Sequence, residues 1–142
     1  MKFTTEHTES TEGVPHPPSS TDTDLSRRVI GCAINVHREL GPGLLESTYE
    51  RCLAHELSLA GIDHETQVVV PVHYKGLEIE TGYRMDLMVE GSLVLELKSV
   101  RAVEPIHEAQ MLTYLRLSRK RCGLLINFNV NRLIDGVRRF SL

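Results

Sequence analysis

The residues best equipped for chemistry in this 142-residue chain are two acids and a lysine in neighbouring apolar segments. Asp86 closes Tyr83-Arg84-Met85-Asp86, and Glu96 and Lys98 belong to Leu95-Glu96-Leu97-Lys98. Side chains alternate faces along a strand. Leu93, Leu95 and Leu97 therefore point one way, and Val94, Glu96 and Lys98 the other. Glu90-Gly91-Ser92 between the two segments is a hairpin signal. A three-residue loop pairs Val89 with Leu93 and sets Asp86 opposite Glu96, with β-carbons about 5 Å apart. A two-residue loop would put the acids on different faces, so the pairing depends on loop length.

Two adjacent carboxylates raise each other's pKa unless a cation lies between them. Mg²⁺ suits that place, because it takes oxygen ligands from one or two carboxylates and keeps several waters. Such an ion lowers the pKa of an attacking water and stabilises charge on a phosphoryl oxygen. Lys98, on the same face as Glu96, is placed to orient that water or neutralise the phosphate. The ordinary alternative is a solvated hairpin face with a cross-strand ion pair, and these three residues alone do not displace it.

Two further features bear on the choice. Glu46 falls near the start of a helical stretch, where the helix macrodipole alone accounts for an acid. His107, Gln110 and Tyr114 fall at i, i+3 and i+7 and form one polar and aromatic stripe, for which a capping histidine and a structural tyrosine are the plain account.

The elements that must position these residues follow from periodicity. Leu25, Val29, Ala33, Val36 and Leu40 recur at helical spacing. After Gly41-Pro42-Gly43, a second helix is predicted from about Leu44 to Ala60, with Pro42 in its first turn and Gly61 as its stop. Strands are predicted over Gln67–Tyr74, Gly82–Glu90 and Leu93–Val100. Pro105 opens a helix to about Leu117, Cys122–Asn127 reads as a short buried strand, and Arg132–Leu142 as a last strand or ragged end. The Val-rich 67–72 stretch is a candidate exposed edge, which proteins protect by pairing or covering.

Composition narrows the class. Hydrophobic residues make up 41% and charged residues 25%, the profile of a soluble globular protein of one domain. No apolar run reaches the roughly 18 residues of a membrane span. Residues 1–24 set Lys2 against five acids, a charge of −4, and are rich in Ser, Thr and Pro. They are expected to form a disordered tail resembling neither a secretory signal nor a transit peptide, with the domain over 25–142 starting near Asp24 or Ser26. The other 118 residues hold fifteen bases and fourteen acids, a charge of +1. That is no strong signature of nucleic-acid binding. Cys32, Cys52 and Cys122 fit neither a zinc ribbon nor a disulfide framework. Reduced, packed cysteines suit a cytoplasmic setting. The histidines show no spacing that assembles a zinc site.

Gly43-Leu44-Leu45-Glu46-Ser47-Thr48-Tyr49, in the context Arg38-Glu39-Leu40-Gly41-Pro42, resembles the motif that names the GxxExxY family. Asp86, Glu96-Leu97-Lys98 and the Gln110 to Tyr114 spacing are similar to motifs of the PD-(D/E)XK nuclease superfamily, to which that family is assigned. The similarity runs from about Leu25 to the C-terminus. It implies an α/β restriction-endonuclease-like domain, with core order α-β-β-β-α-β and a mixed central sheet flanked by helices. It further implies that Asp86 and Glu96 bind Mg²⁺ or Mn²⁺, helped by the Leu97 carbonyl, with Glu46 contributing an acid to the same pocket. Lys98 is then the catalytic lysine, and Gln110 and Tyr114 position it or a phosphate. Met85 rather than Pro precedes Asp86, a position that varies across such enzymes.

Three functions follow as expectations. The first is a metal-dependent nuclease acting on DNA, with RNA as the other candidate substrate. The second is a catalytically silent nuclease-fold module that binds a protein or nucleic-acid partner. The third is a domain that works as a homo-oligomer or subunit. A membrane partner is not expected.

Overall fold

The computed structural model describes residues 20–142. Helix α1 spans Ser20–Leu40 and α2 Glu46–Leu59. Strands β1 (His64–Val69), β2 (Val72–Tyr74), β3 (Leu77–Ile79), β4 (Arg84–Val89) and β5 (Leu93–Lys98) follow. Helix α3 (Pro105–Ser118), β6 (Cys122–Asn127), a 3₁₀ turn at Leu133–Gly136 and β7 (Val137–Ser141) complete the chain. The expected tail lies outside the described residues over 1–19, and α1 begins at Ser20, ahead of the expected start.

Five strands form one mixed sheet in the order β1-β4-β5-β6-β7. Only β5 and β6 run parallel, joined through α3, as a parallel pair requires a crossover. Alternation along the strands builds two cores. Leu93, Leu95 and Leu97 of β5 and Leu87 and Val89 of β4 pack with Val29, Ala33, Leu53 and Leu57 of α1 and α2. Val94, Met88 and Leu125 pack on the other side with Met111, Leu112 and Leu115 of α3. This mixed α/β sheet flanked by helices, in a single domain, is consistent with the expected restriction-endonuclease-like fold.

Two expectations need correction. The strand foreseen over 67–74 is broken at Val70-Pro71, since proline cannot donate to a ladder. Its second half pairs with β3 in a separate two-stranded sheet, turning at Lys75 and Gly76 with φ of 48° and 87°. That extra hairpin enlarges the expected core order. Pro42 also lies outside α2, whose N-cap is Leu45. Gly41 and Gly43 adopt φ of 71° and 98°, which a helix cannot continue through. The edge foreseen over 67–72 is met in part: residues 67–69 lie in β1, which borders the five-stranded sheet, while Val72 opens the separate hairpin.

Candidate active site

The β4–β5 hairpin closes through a three-residue turn, with Val89 paired to Leu93, Met88 to Val94 and Leu87 to Leu95. Glu90 and Gly91 supply the positive φ, 53° and 65°. One step further, side chains replace the backbone ladder. The Asp86 N–H donates to Glu96 Oε2 at 2.9 Å, and the Leu97 N–H donates to Asp86 Oδ2 at 2.8 Å. The acids are thus interlocked through each other's strands.

Across from Asp86, Gln67 of β1 is left-handed at φ 53°, and the ladder pairs Thr66 with Leu87 and Val68 with Met85 around it. Met85 and Leu87 pack into opposite cores, which strict alternation forbids, so β4 rotates at Asp86. Glu46 of α2 acts on both carboxyls, raising Asp86 and Glu96 alike.

Helix α2 is held to this end of the sheet by the loop that precedes it. The Tyr49 hydroxyl donates to the Gly41 carbonyl and accepts from the Leu44 N–H, and its ring stacks on Phe128 at 4.4 Å. Ser99, just past Lys98, donates its hydroxyl to the Leu44 carbonyl at 2.6 Å and its N–H to Glu46 Oε2 at 3.2 Å. Gly43, Glu46 and Tyr49 therefore act together: the glycine turns the loop, the tyrosine pins it, and the acid meets the end of β5. Asn127 steadies the following residues, accepting from the Val100 N–H and donating to its carbonyl.

The result is a cleft of about 510 Å³ lined by Leu44, Leu45, Glu46, Ser47, Glu50, Asp86 and Ser99. A hollow of about 620 Å³ between α1 and α2 is larger but contains none of these interlocked acids. Glu96 is only 5% exposed, and its carboxyl is pushed up to about 8, first by burial and then by Asp86. Burial likewise raises Asp86, with Glu46 adding to it, against the Leu97 N–H and the Lys98 charge. Lys98 is half-buried and its charge acts on both carboxylates. The Tyr114 phenol is raised by burial, then by Glu96 and Asp86.

Asp86 and Glu96 are thus joined directly, Glu46 meets the end of β5 at Ser99, and Lys98 and Tyr114 interact electrostatically with the pair. Gln110 is half-buried one turn before Tyr114, and no hydrogen bond ties its amide to the acids among the described residues. His107 caps α3, its Nδ1 accepting from the Glu104 N–H at 3.0 Å. Sequence reasoning missed Glu50 and Gln67. Glu50 lies one turn beyond Glu46, and its carboxyl is raised by burial and then by Asp86. The Gln67 amide donates to Glu50 Oε1 at 2.7 Å and reaches Asp86 Oδ1 at 3.5 Å. The i, i+4 spacing of Glu46 and Glu50 was the available signal for the second acid.

A family model described as the PD-(D/E)XK nuclease superfamily matches residues 23–140. The chain belongs to that superfamily, whose nucleases generally use divalent metals and whose substrates are nucleic acids. No curated protein and no solved structure matched the chain.

The residues fit a divalent ion through the oxygens they leave open. One oxygen of each acid is committed to a backbone N–H, which leaves Glu96 Oε1 and, beyond a long 3.5 Å bond from the Gln67 amide, Asp86 Oδ1 for a further partner. Both carboxyls are raised in pKa, so a cation would relieve their burial and repulsion. Among the described residues no group of three or more His, Cys, Asp or Glu is assembled as a metal cage. Two carboxylates with water completing the shell is the arrangement Mg²⁺ ordinarily takes. No helix among the described residues is long and apolar enough to cross a membrane.

Proposed function

We propose that this protein is a metal-dependent nuclease of the GxxExxY branch that hydrolyses phosphodiester bonds of DNA with Mg²⁺ or Mn²⁺. The observation that carries the proposal is the interlock of Asp86 and Glu96 beside Lys98. In this reading Asp86 and Glu96 would hold the ion, and Glu46 would contribute from the cleft rim. The ion supplies a lowered water pKa and charge stabilisation at the phosphoryl group. Lys98 neutralises the phosphate as negative charge grows on it. Tyr114, whose phenol feels the Glu96 charge, positions that carboxylate or the lysine, and Gln110 assists from the preceding turn. Three cysteines outside any disulfide suit a cytoplasmic, reducing setting.

The test is cleavage of fluorescent single- and double-stranded DNA, with RNA in parallel, in Mg²⁺, Mn²⁺ or EDTA. Cleavage that requires the metal and is lost in Asp86→Asn and Lys98→Ala is the expected result. Undiminished cleavage in both variants would assign the activity to a contaminant and overturn the proposal. A second reading is a nuclease-fold binding module without turnover. Calorimetry separates the two: no heat of binding at millimolar Mg²⁺ or Mn²⁺ supports the silent module. The β1 edge supports a homo-oligomer, which light scattering would detect.

A further inference from the structure

Leu45 breaks two local rules at once. At 73% it is the most exposed large hydrophobic among the described residues, and it occupies the N-cap of α2. N-caps favour Ser, Thr, Asp or Asn, whose side chains take up an orphan backbone N–H, and leucine has no group to do so. Its backbone is nevertheless fixed on both sides. The Leu44 N–H donates to the Tyr49 hydroxyl at 3.2 Å, and the Leu44 carbonyl accepts from the Ser99 hydroxyl at 2.6 Å. The Leu45 carbonyl accepts from the Thr48 and Tyr49 N–H groups at 3.1 and 3.3 Å. Leu44 and Leu45 both line the cleft that holds Glu46, Glu50 and Asp86. A lone exposed leucine is ordinary on a protein surface. One mounted in this cleft, where a capping side chain would be more stable, is not, because such departures collect at functional sites.

The cleft therefore has two chemistries. Glu46, Glu50 and Asp86 line it with carboxyls, and Leu44 and Leu45 line it with hydrocarbon. A nucleic-acid backbone is negative at every phosphate. Beyond the one phosphate at the metal, Glu46 and Glu50 repel it, since like charges brought together exclude a wrong fit. The part of a nucleotide that suits the rest of the cleft is its uncharged base, whose faces apolar side chains can cover. A volume of about 510 Å³ lies within the range of pockets that take small molecules. We propose that Leu45, with Leu44 beside it, is an apolar subsite for the nucleobase flanking the phosphate bound at Asp86 and Glu96. Bases inside a duplex cover one another's faces, so the base that meets Leu45 has left its stack. Hydrocarbon reads no donor or acceptor on a base edge, so the subsite sets no sequence preference.

The subsite rests on the nuclease reading, and its test keeps the two apart. Leu45→Ser supplies the missing cap and removes the hydrocarbon, whereas Leu45→Met keeps the hydrocarbon. Fluorescence anisotropy would follow the full chain binding a short fluorescein-labelled single-stranded DNA in Ca²⁺, beside the same strand with abasic positions. Leu45→Ser is expected to weaken binding of the ordinary strand about ten-fold, the loss of one leucine's apolar burial. It should melt level with the wild type or up to about 4 °C higher, as a gained cap allows. Leu45→Met should bind like the wild type. The abasic strand should bind wild type and Leu45→Ser equally, because the leucine has no base to cover. Equal binding of the ordinary strand by wild type and Leu45→Ser would overturn the subsite. So would an equal loss on the abasic strand, which assigns the contact to the backbone, or no binding of either strand. A Leu45→Ser melting point well below wild type would make the leucine structural and overturn it too. Cleavage in Mg²⁺ is scored on its own. Binding that depends on Leu45 without cleavage keeps the subsite and sinks the activity, and cleavage with binding indifferent to Leu45 does the opposite.

Discussion

Replacing Glu96 by Gln is expected to abolish the proposed activity and yet stabilise the protein, by an amount that grows with pH. The Glu96 carboxyl titrates at about 8 in the fold against an ordinary value of 4.5. Between those values the folded state holds a proton that the unfolded chain has released. Stability fully present below about pH 4.5 is therefore lost as the pH rises through about 8. At about 1.4 kcal/mol per tenfold, the whole span is on the order of 4–5 kcal/mol. Water entering the adjoining cleft and local relaxation should leave about 2–3 kcal/mol of that cost. The substituted amide would keep an oxygen to accept the Asp86 N–H and has no proton to lose. In EDTA at pH 9 the variant should melt roughly 6–15 °C above the wild type, given a few degrees per kcal/mol for a domain of this size. At pH 5 the two should agree within a few degrees. Differential scanning calorimetry from pH 5 to 9 reads the difference directly, and taking a difference cancels other titrating groups. A gap that stays flat or closes as pH rises would refute the reasoning that burial and Asp86 load this carboxyl.

Lys98→Ala should lower DNA cleavage by about a hundred-fold or more, the usual effect of removing one group that stabilises developing charge. Its melting temperature at pH 5 should stay within a few degrees of wild type. Tyr49→Phe keeps the ring on Phe128 but removes the hydroxyl that joins Gly41 to Leu44. Urea unfolding should show a loss of about 1–3 kcal/mol, and cleavage should fall because Glu46 is no longer held at the end of β5. Leu53→Ala empties a fully buried position between α2 and the sheet. It should cost about 2–5 kcal/mol by the same measurement.

The hairpin that carries the acids was legible because its signals agree. Glycine in a polar turn marked the hairpin at 90–92 but left its loop length open, and the leucines of β5 set which face Glu96 takes. The register followed by counting only for a three-residue loop, and Val89 does pair with Leu93. The β2–β3 hairpin was not legible, because its turn places a lysine at positive φ where Asn, Asp or Gly is the usual signal. Gln67 is the same kind of case. Nothing in its type announces a left-handed backbone, yet that conformation breaks the ladder opposite Asp86. Glu46 was visible as an acid at a helix start, but its contact with the Ser99 N–H joins residues 53 positions apart. Only packing reveals such a contact. Glu50 was legible as the i, i+4 neighbour of Glu46, but its approach to Asp86 was not.

The most direct measurement is an anomalous difference map from crystals of the full chain soaked in Mn²⁺. A peak bridging Asp86 Oδ1 and Glu96 Oε1, with Lys98 facing the open side, is the expected result. Mn²⁺ bound elsewhere with no density between those two oxygens would contradict the assignment of this acid pair as the metal centre.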